Sequence, residues 1–191
     1  MVVPIHENQY LSFPFSDDEL MKKDFNKLLK QLDAEELRDE LLNLYDRFNV
    51  VKEYYKLELS GNTKAVLDNY KKALRKSFFT GRRRINRRGR SEAKKVLKAF
   101  AEISIHPKDL VDLYFYRAEV MTDAVIYYNI ENDSFLTATV KAFEEALTLA
   151  ENELVLQSLQ PQIHKLMVHF NDNVRYGSYS YWPAYQARFG G

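Results

Sequence analysis

Cysteine is absent from this chain of 191 residues. Its absence removes disulfides, thiolate nucleophiles and every Cys-based zinc site, and it fits a reducing, cytoplasmic setting. No apolar run approaches the roughly 18 residues that would span a bilayer. The opening MVVPIHENQ lacks the basic start and apolar centre of a secretory signal, so no membrane partner is expected. Also missing are H-E-x-x-H and any E-x-x-H pair, the usual helical zinc and di-iron signatures. Of the four histidines, His164 and His169 stand five residues apart, roughly 140° around a helix rather than on one face. There is no G-x-G-x-x-G, no G-x-x-x-x-G-K-[ST] and no G-x-S-x-G, so the common nucleotide-binding loops and hydrolase elbows are lacking. The acid pairs Glu35/Glu36 and Glu144/Glu145 fall on polar helix faces and read as solvated. Nothing predicts a catalytic residue, a metal or a cofactor, and the expected role is non-enzymatic.

Proline and glycine are few, five and six, in an otherwise ordinary globular composition with 13 Tyr and 12 Phe. The totals of 28 Lys or Arg and 27 Asp or Glu look neutral, but the charges are segregated. Residues 71–98 hold 13 of the basic residues and one acid, Glu92, leaving 15 basic and 26 acidic residues elsewhere. The centre of that run reads TGRRRINRRGR, with six arginines between Gly81 and Ser91. A length of 191 residues suits one domain with a substantial core. The expected organisation is an extended leader over 1–15, then a single helical domain over 16–191 carrying a basic loop at 80–90. Met21 is an alternative start of translation.

Helical spacing recurs along the chain. Ser16 and Glu19 form a capping box for a helix to about Gln31. Asp33 and Glu36 repeat it for a helix carrying Leu37, Leu41, Leu44, Tyr45 and Phe48 at steps of three and four. Asn49 marks a break before a helix over 50–59, and Ser60-Gly61-Asn62 a stop and new cap. From 63 to about 79 the apolar stripe is Val66, Leu67, Tyr70, Leu74 and Phe78, with Lys71, Lys72, Arg75 and Lys76 mostly off it. Gly81 and Gly89 then bracket a loop with one apolar side chain, Ile85, and Ser91 is read as the cap of a helix to about Ser104. His106-Pro107 is a boundary, because the residue before proline leaves helical geometry and proline suits a first turn. The helix from Pro107 to about Tyr128 is the longest, and it is apolar past half its circumference, which predicts neighbours on two sides. After a turn at 129–133, Ser134 opens the next helix. Residues 154–171 are helical, with Pro161 breaking the helix or starting a fresh turn. Trp182-Pro183 begins a short last helix.

No strand and no repeat of fixed period is evident. Eight or nine helices joined by short turns imply an all-α fold of stacked antiparallel helical hairpins, a curved repeat-like stack or, alternatively, a closed bundle. The runs LDAEELRDELLNLYDRFNVVKEYYKLELS, VLDNYKKALRKSFF, SEAKKVLKAF and RYGSYSYWPAYQARF resemble a family of small, all-helical, uncharacterised bacterial proteins over residues 21–189. The resemblance implies a start near Met21 and no reaction. Trp182-Pro183 departs from the acidic or polar residues of that family.

Two surfaces are candidates for function. Arg82, Arg83, Arg84, Arg87, Arg88 and Arg90, with Lys94 and Lys95, could grip the phosphates of RNA or DNA, since arginines displace condensed counterions and match phosphate with planar forks. Phe78 and Phe79 could add base stacking, although Phe78 lies on the helical stripe. The same loop could instead be a solvated linker, pair with the chain's own acids, or meet an acidic protein. Tyr176, Tyr179, Tyr181, Trp182 and Tyr185 form an aromatic segment that either packs across the helices or offers a contact patch. The expected function is a binding or scaffolding role through the basic loop. The alternative is an adaptor that binds an acidic protein or itself through helix faces and the aromatic end.

Overall fold

The computed structural model describes residues 17–60, 63–81, 83–174 and 179–190. The expected leader over 1–15, the cap at Ser16 and the Gly61-Asn62 stop lie outside them. The described residues form nine α-helices and no strand. Where the composition predicts one domain from residue 16 onward, the backbone contacts divide the chain into two units, Met1–Asn49 and Val50–Gly191.

The described part of the first unit is α1 (Asp17–Leu29) and α2 (Ala34–Arg47). The capping box at Asp33 forms as its spacing predicts. Asp33 Oδ1 accepts from the backbone N–H of Glu35 and Glu36 at 2.8 and 2.9 Å, and Glu36 Oε2 accepts from the Asp33 N–H at 2.9 Å. Neither helix buries a described residue, and Phe25, Leu28, Leu41, Leu42 and Phe48 are all exposed.

α3 (Asn49–Ser60) leads into the second unit and contributes Leu57 to its core. The centre of that unit is α6 (Pro107–Tyr128), 22 residues long. It packs against α4 (Thr63–Phe78), α5 (Gly89–Ile103), α7 (Asp133–Asn152) and α8 (Gln160–Asn173), while α8 also packs on α9 (Trp182–Phe189). This placement follows from composition. Val111, Leu113, Phe115, Ala118, Val120, Met121, Ala124 and Val125 of α6 are all buried, and together they cover most of its circumference. Burying each large apolar side chain contributes about 1.5–3 kcal/mol. The boundaries of α6 are those the sequence predicts. His106 is extended and Pro107 fills the first turn, while Asn129 takes the left-handed conformation (φ 50°) that ends the helix.

Three boundaries differ from expectation. α5 begins at Gly89, two residues before Ser91. α7 is capped by Asn132, whose Oδ1 accepts from the Phe135 N–H at 3.0 Å, rather than opened by Ser134. In the stretch 154–171, Pro161 does start a fresh first turn, that of α8, but the residues before it are not α-helical: Leu154 is left-handed (φ 57°) and a single 3-10 turn spans Gln157–Leu159.

Candidate anion-binding site

The basic loop leaves α4 at Phe79 and re-enters helix at Gly89. Its course is fixed by three residues that are not basic. Ile85 tucks against the core. Asn86 uses its whole side chain: Nδ2 donates to the Ser77 carbonyl at 3.1 Å and to Glu92 Oε2 at 2.8 Å, and Oδ1 accepts from the Arg88 N–H at 3.1 Å. The Asn86 carbonyl also accepts from the Gly89 N–H at 3.0 Å. Gly89 is buried where a Cβ would stand 2.7 Å from the Ser77 oxygen and 3.0 Å from the Phe78 ring. Only glycine permits so close an approach of α5 to the end of α4, which is why the helix starts there. Gly81, at φ +75°, supplies the left-handed turn on the other side.

With the backbone pinned, the arginines point outward. Arg83, Arg84, Arg87 and Arg88 are exposed and, with Thr80, Ile85 and Asn86, line an open hollow of about 810 Å³. None of the four makes an ion pair among the described residues. Arg82 lies outside the described residues. Arg90 is diverted: its Nη1 donates to the Ser134 carbonyl at 2.9 Å and to Ser134 Oγ at 3.2 Å, with the guanidinium 5.9 Å from the Phe135 ring. Lys94 shares a separate hollow of about 110 Å³ with Arg90, Lys141 and Glu145. Lys95 is exposed and lines neither. Of the seven predicted contacts among the described residues, Arg83, Arg84, Arg87 and Arg88 share one hollow, and Arg90, Lys94 and Lys95 do not line it.

Two cations of the upstream half of the basic run, Lys71 and Arg75, are engaged within the fold. Lys71 Nζ lies 2.6 Å from Asp112 Oδ2, and Arg75 Nη1 lies 2.9 Å from Asp123 Oδ2. The hydrogen bond to Asp123 holds the Arg75 guanidinium above its usual value. Asp123 Oδ1 also faces His169 Nε2 at 3.3 Å. Asp123 and His169 border a groove of about 440 Å³ between α6 and α8, lined also by Phe115, Glu119, Gln162, Lys165 and Leu166. Burial, and after it the charge of Asp123, raises the Glu119 carboxyl above the usual carboxylate range. The groove is not evident in the sequence because its residues come from distant helices; the only local trace is the spacing of Glu119 and Asp123, one turn apart. No group of three or more His, Asp or Glu among the described residues is placed to hold a metal.

Glu145 is exposed, as the sequence suggests, and also pairs with Arg117, a buried arginine that local spacing does not reveal. The aromatic segment splits. Tyr181 is removed from any surface patch, because it is fully buried between Phe143 and Phe170 at ring distances of 4.1 and 4.0 Å. Its hydroxyl lies 3.0 Å from Thr122 Oγ1 and 3.3 Å from the Thr139 carbonyl, and burial pushes the phenol well above its ordinary pKa. Trp182 is exposed and stacks on half-buried Tyr185 at 6.1 Å, while the Tyr179 hydroxyl donates to Asp133 Oδ1 at 3.1 Å. Tyr176 lies outside the described residues. Phe78 is wholly buried, so it offers no face for a base, whereas Phe79 is half-buried.

The second unit is thus all-helical among its described residues, and the hollow lined by Arg83, Arg84, Arg87 and Arg88 has no carboxylate among its described lining residues. No helix among those residues is long and apolar enough to cross a membrane. The chain belongs to the Family of unknown function (DUF6155), whose model matches residues 20–178. The matched span begins beside Met21 and ends before Trp182, so α9 falls outside it. No curated protein and no solved structure matches the chain.

Proposed function

We propose that this is a non-enzymatic binding protein that holds a polyanion, the phosphate backbone of RNA or DNA, through the loop at 80–90. The observation that carries this reading is the set Arg83, Arg84, Arg87 and Arg88, exposed around one hollow with no carboxylate partner among the described residues. In a chain with 27 acidic residues, four neighbouring cations left unpaired on an anchored backbone are available to an outside anion. Guanidinium forks match phosphate oxygens in pairs. The test is binding of a labelled DNA duplex at 50 and 200 mM salt. Four phosphate contacts predict a loss of affinity of roughly a hundredfold over that range. Replacing the four arginines by glutamine should abolish binding, and equal binding by that variant would end the proposal.

The exposed apolar residues of α1 and α2 favour a second reading, an adaptor that associates with itself or another protein through helix faces. It predicts concentration-dependent association in sizing, or a co-purifying protein that persists after nuclease treatment.

A further inference from the structure

An aromatic cluster stands where the basic loop leaves α4. Phe79, the last residue before the loop, meets Tyr127 and Tyr128 at the end of α6, with ring centroids 5.7 and 5.5 Å apart. Tyr127 and Tyr128 pack edge to face at 4.8 Å. The Arg75 guanidinium also lies 4.6 Å from the centre of the Phe79 ring, so Phe79 is held in place. Tyr128 and Phe79 are half-buried, but Tyr127 is 73% exposed. An aromatic ring braced edge to face by two others and still largely open to water is a preorganised stacking surface. Arg83 follows Phe79 by four positions, at most about 14 Å of chain, so the ring and the guanidinium hollow lie within reach of one short oligonucleotide.

We infer that the polyanion is single-stranded nucleic acid, with Tyr127 stacking on a base while Arg83, Arg84, Arg87 and Arg88 hold the neighbouring phosphates. The inference rests on the loop's grip of phosphate proposed above and adds the strandedness. Bases in a duplex are already stacked on each other and present edges, whereas a single strand offers free faces that an aromatic side chain can take. Recognition by stacking tolerates any base, so no strong sequence preference is expected.

The experiment compares two probes of equal length by fluorescence anisotropy, a single-stranded oligothymidine and an abasic phosphodiester chain. The parent should bind the oligothymidine about 5- to 100-fold more tightly. Tyr127→Ala should remove that preference and leave the abasic affinity unchanged, while Tyr127→Phe should retain it. Tyr127→Leu keeps an apolar contact with Phe79 and Tyr128 without a π-face, and it should behave as Tyr127→Ala does even if the alanine variant is less stable. The stacking assignment is overturned if the parent shows no preference, or if both the alanine and leucine variants keep it. Provided the abasic chain still binds and is lost on replacing the four arginines, the phosphate-binding loop survives that result. A parent that binds neither probe overturns both.

Discussion

Lys71 and Arg75 lie one helical turn apart and each meets a carboxylate of α6; Arg83, Arg84, Arg87 and Arg88, a few residues further on, meet none. The two groups belong to one uninterrupted basic run, so their charge does not separate them. Their backbone does. On α4 the side chains face a helix that carries Asp112 and Asp123 on the matching side. The loop is pinned by Asn86 and Gly89 so that its arginines face water. An exposed guanidinium loses little by having no partner, because water solvates it. A charge between packed helices must be matched or the fold is weakened. Which cations remain available for an outside anion is therefore decided by packing between distant helices, and counting charges along the chain overstates the number.

The comparison is broken most directly at its two extremes. Arg117 is the most buried arginine of the described residues, 5% exposed, joined to Glu145 and 5.3 Å from the Tyr114 ring. Arg117→Ala should lower stability by about 3 kcal/mol, from lost packing and an abandoned carboxylate, read as a shift in the urea midpoint. Replacing Arg83, Arg84, Arg87 and Arg88 by glutamine should change stability by no more than about 0.5 kcal/mol while removing polyanion binding. If the loop variant were destabilised as much as Arg117→Ala, the loop arginines would be structural and the contrast would vanish.

Next in size are the anchors that turn the arginines outward. Gly89→Ala forces a methyl against the Ser77 carbonyl and should cost about 1–3 kcal/mol as α5 shifts from α4. Asn86→Ala strips donors from the Ser77 carbonyl and from Glu92, for a loss of about 1–2 kcal/mol. Both variants keep every arginine, so a drop in phosphate affinity would show that presentation, and not charge alone, makes the surface. Arg75→Ala removes a half-exposed ion pair and should cost only about 0.2–1 kcal/mol.

Much of this architecture is legible in the residues themselves. The Asp33–Glu36 box, the His106-Pro107 start, the left-handed Asn129 and the Trp182-Pro183 start all act within a few residues, and local chemistry suffices to place them. The basic loop is visible for the same reason. Gly89 is not: its neighbour is the Ser77 carbonyl, and a glycine that opens a helix by close approach looks in sequence like one that ends a loop. Tyr181 belongs by composition with Trp182 and Tyr185, yet α7 and α8 supply the Phe143 and Phe170 rings that enclose it. Asn86 carries no periodic signal, and the loop's one organising polar side chain is hidden among six arginines.

The smallest expected effect has the opposite sign to the others and comes from the paired side of the comparison. Glu119 borders the groove between α6 and α8, where Asp123 is met by Arg75 and His169, but Glu119 has no ion pair of its own among the described residues. Burial, then the Asp123 charge, raises its carboxyl above the ordinary value of 4.5. The folded chain therefore holds this proton to a higher pH than the unfolded chain does. Stability present below about pH 4.5 is then lost as pH climbs through the folded value. Glu119→Gln cannot ionise, so it should be slightly more stable than the parent at pH 7, by less than about 1 kcal/mol because the side chain remains partly solvated. At pH 4 the two should melt together. Adding Asp123→Asn should shrink the gain at pH 7, since the second cause of the shift is then removed, and a double-mutant cycle measures that coupling. A parent more stable than Glu119→Gln at pH 7 would mean that Glu119 is matched by a cation in solution. The groove would then resemble the rest of the α4–α6 contact, where Lys71 and Arg75 each meet a carboxylate.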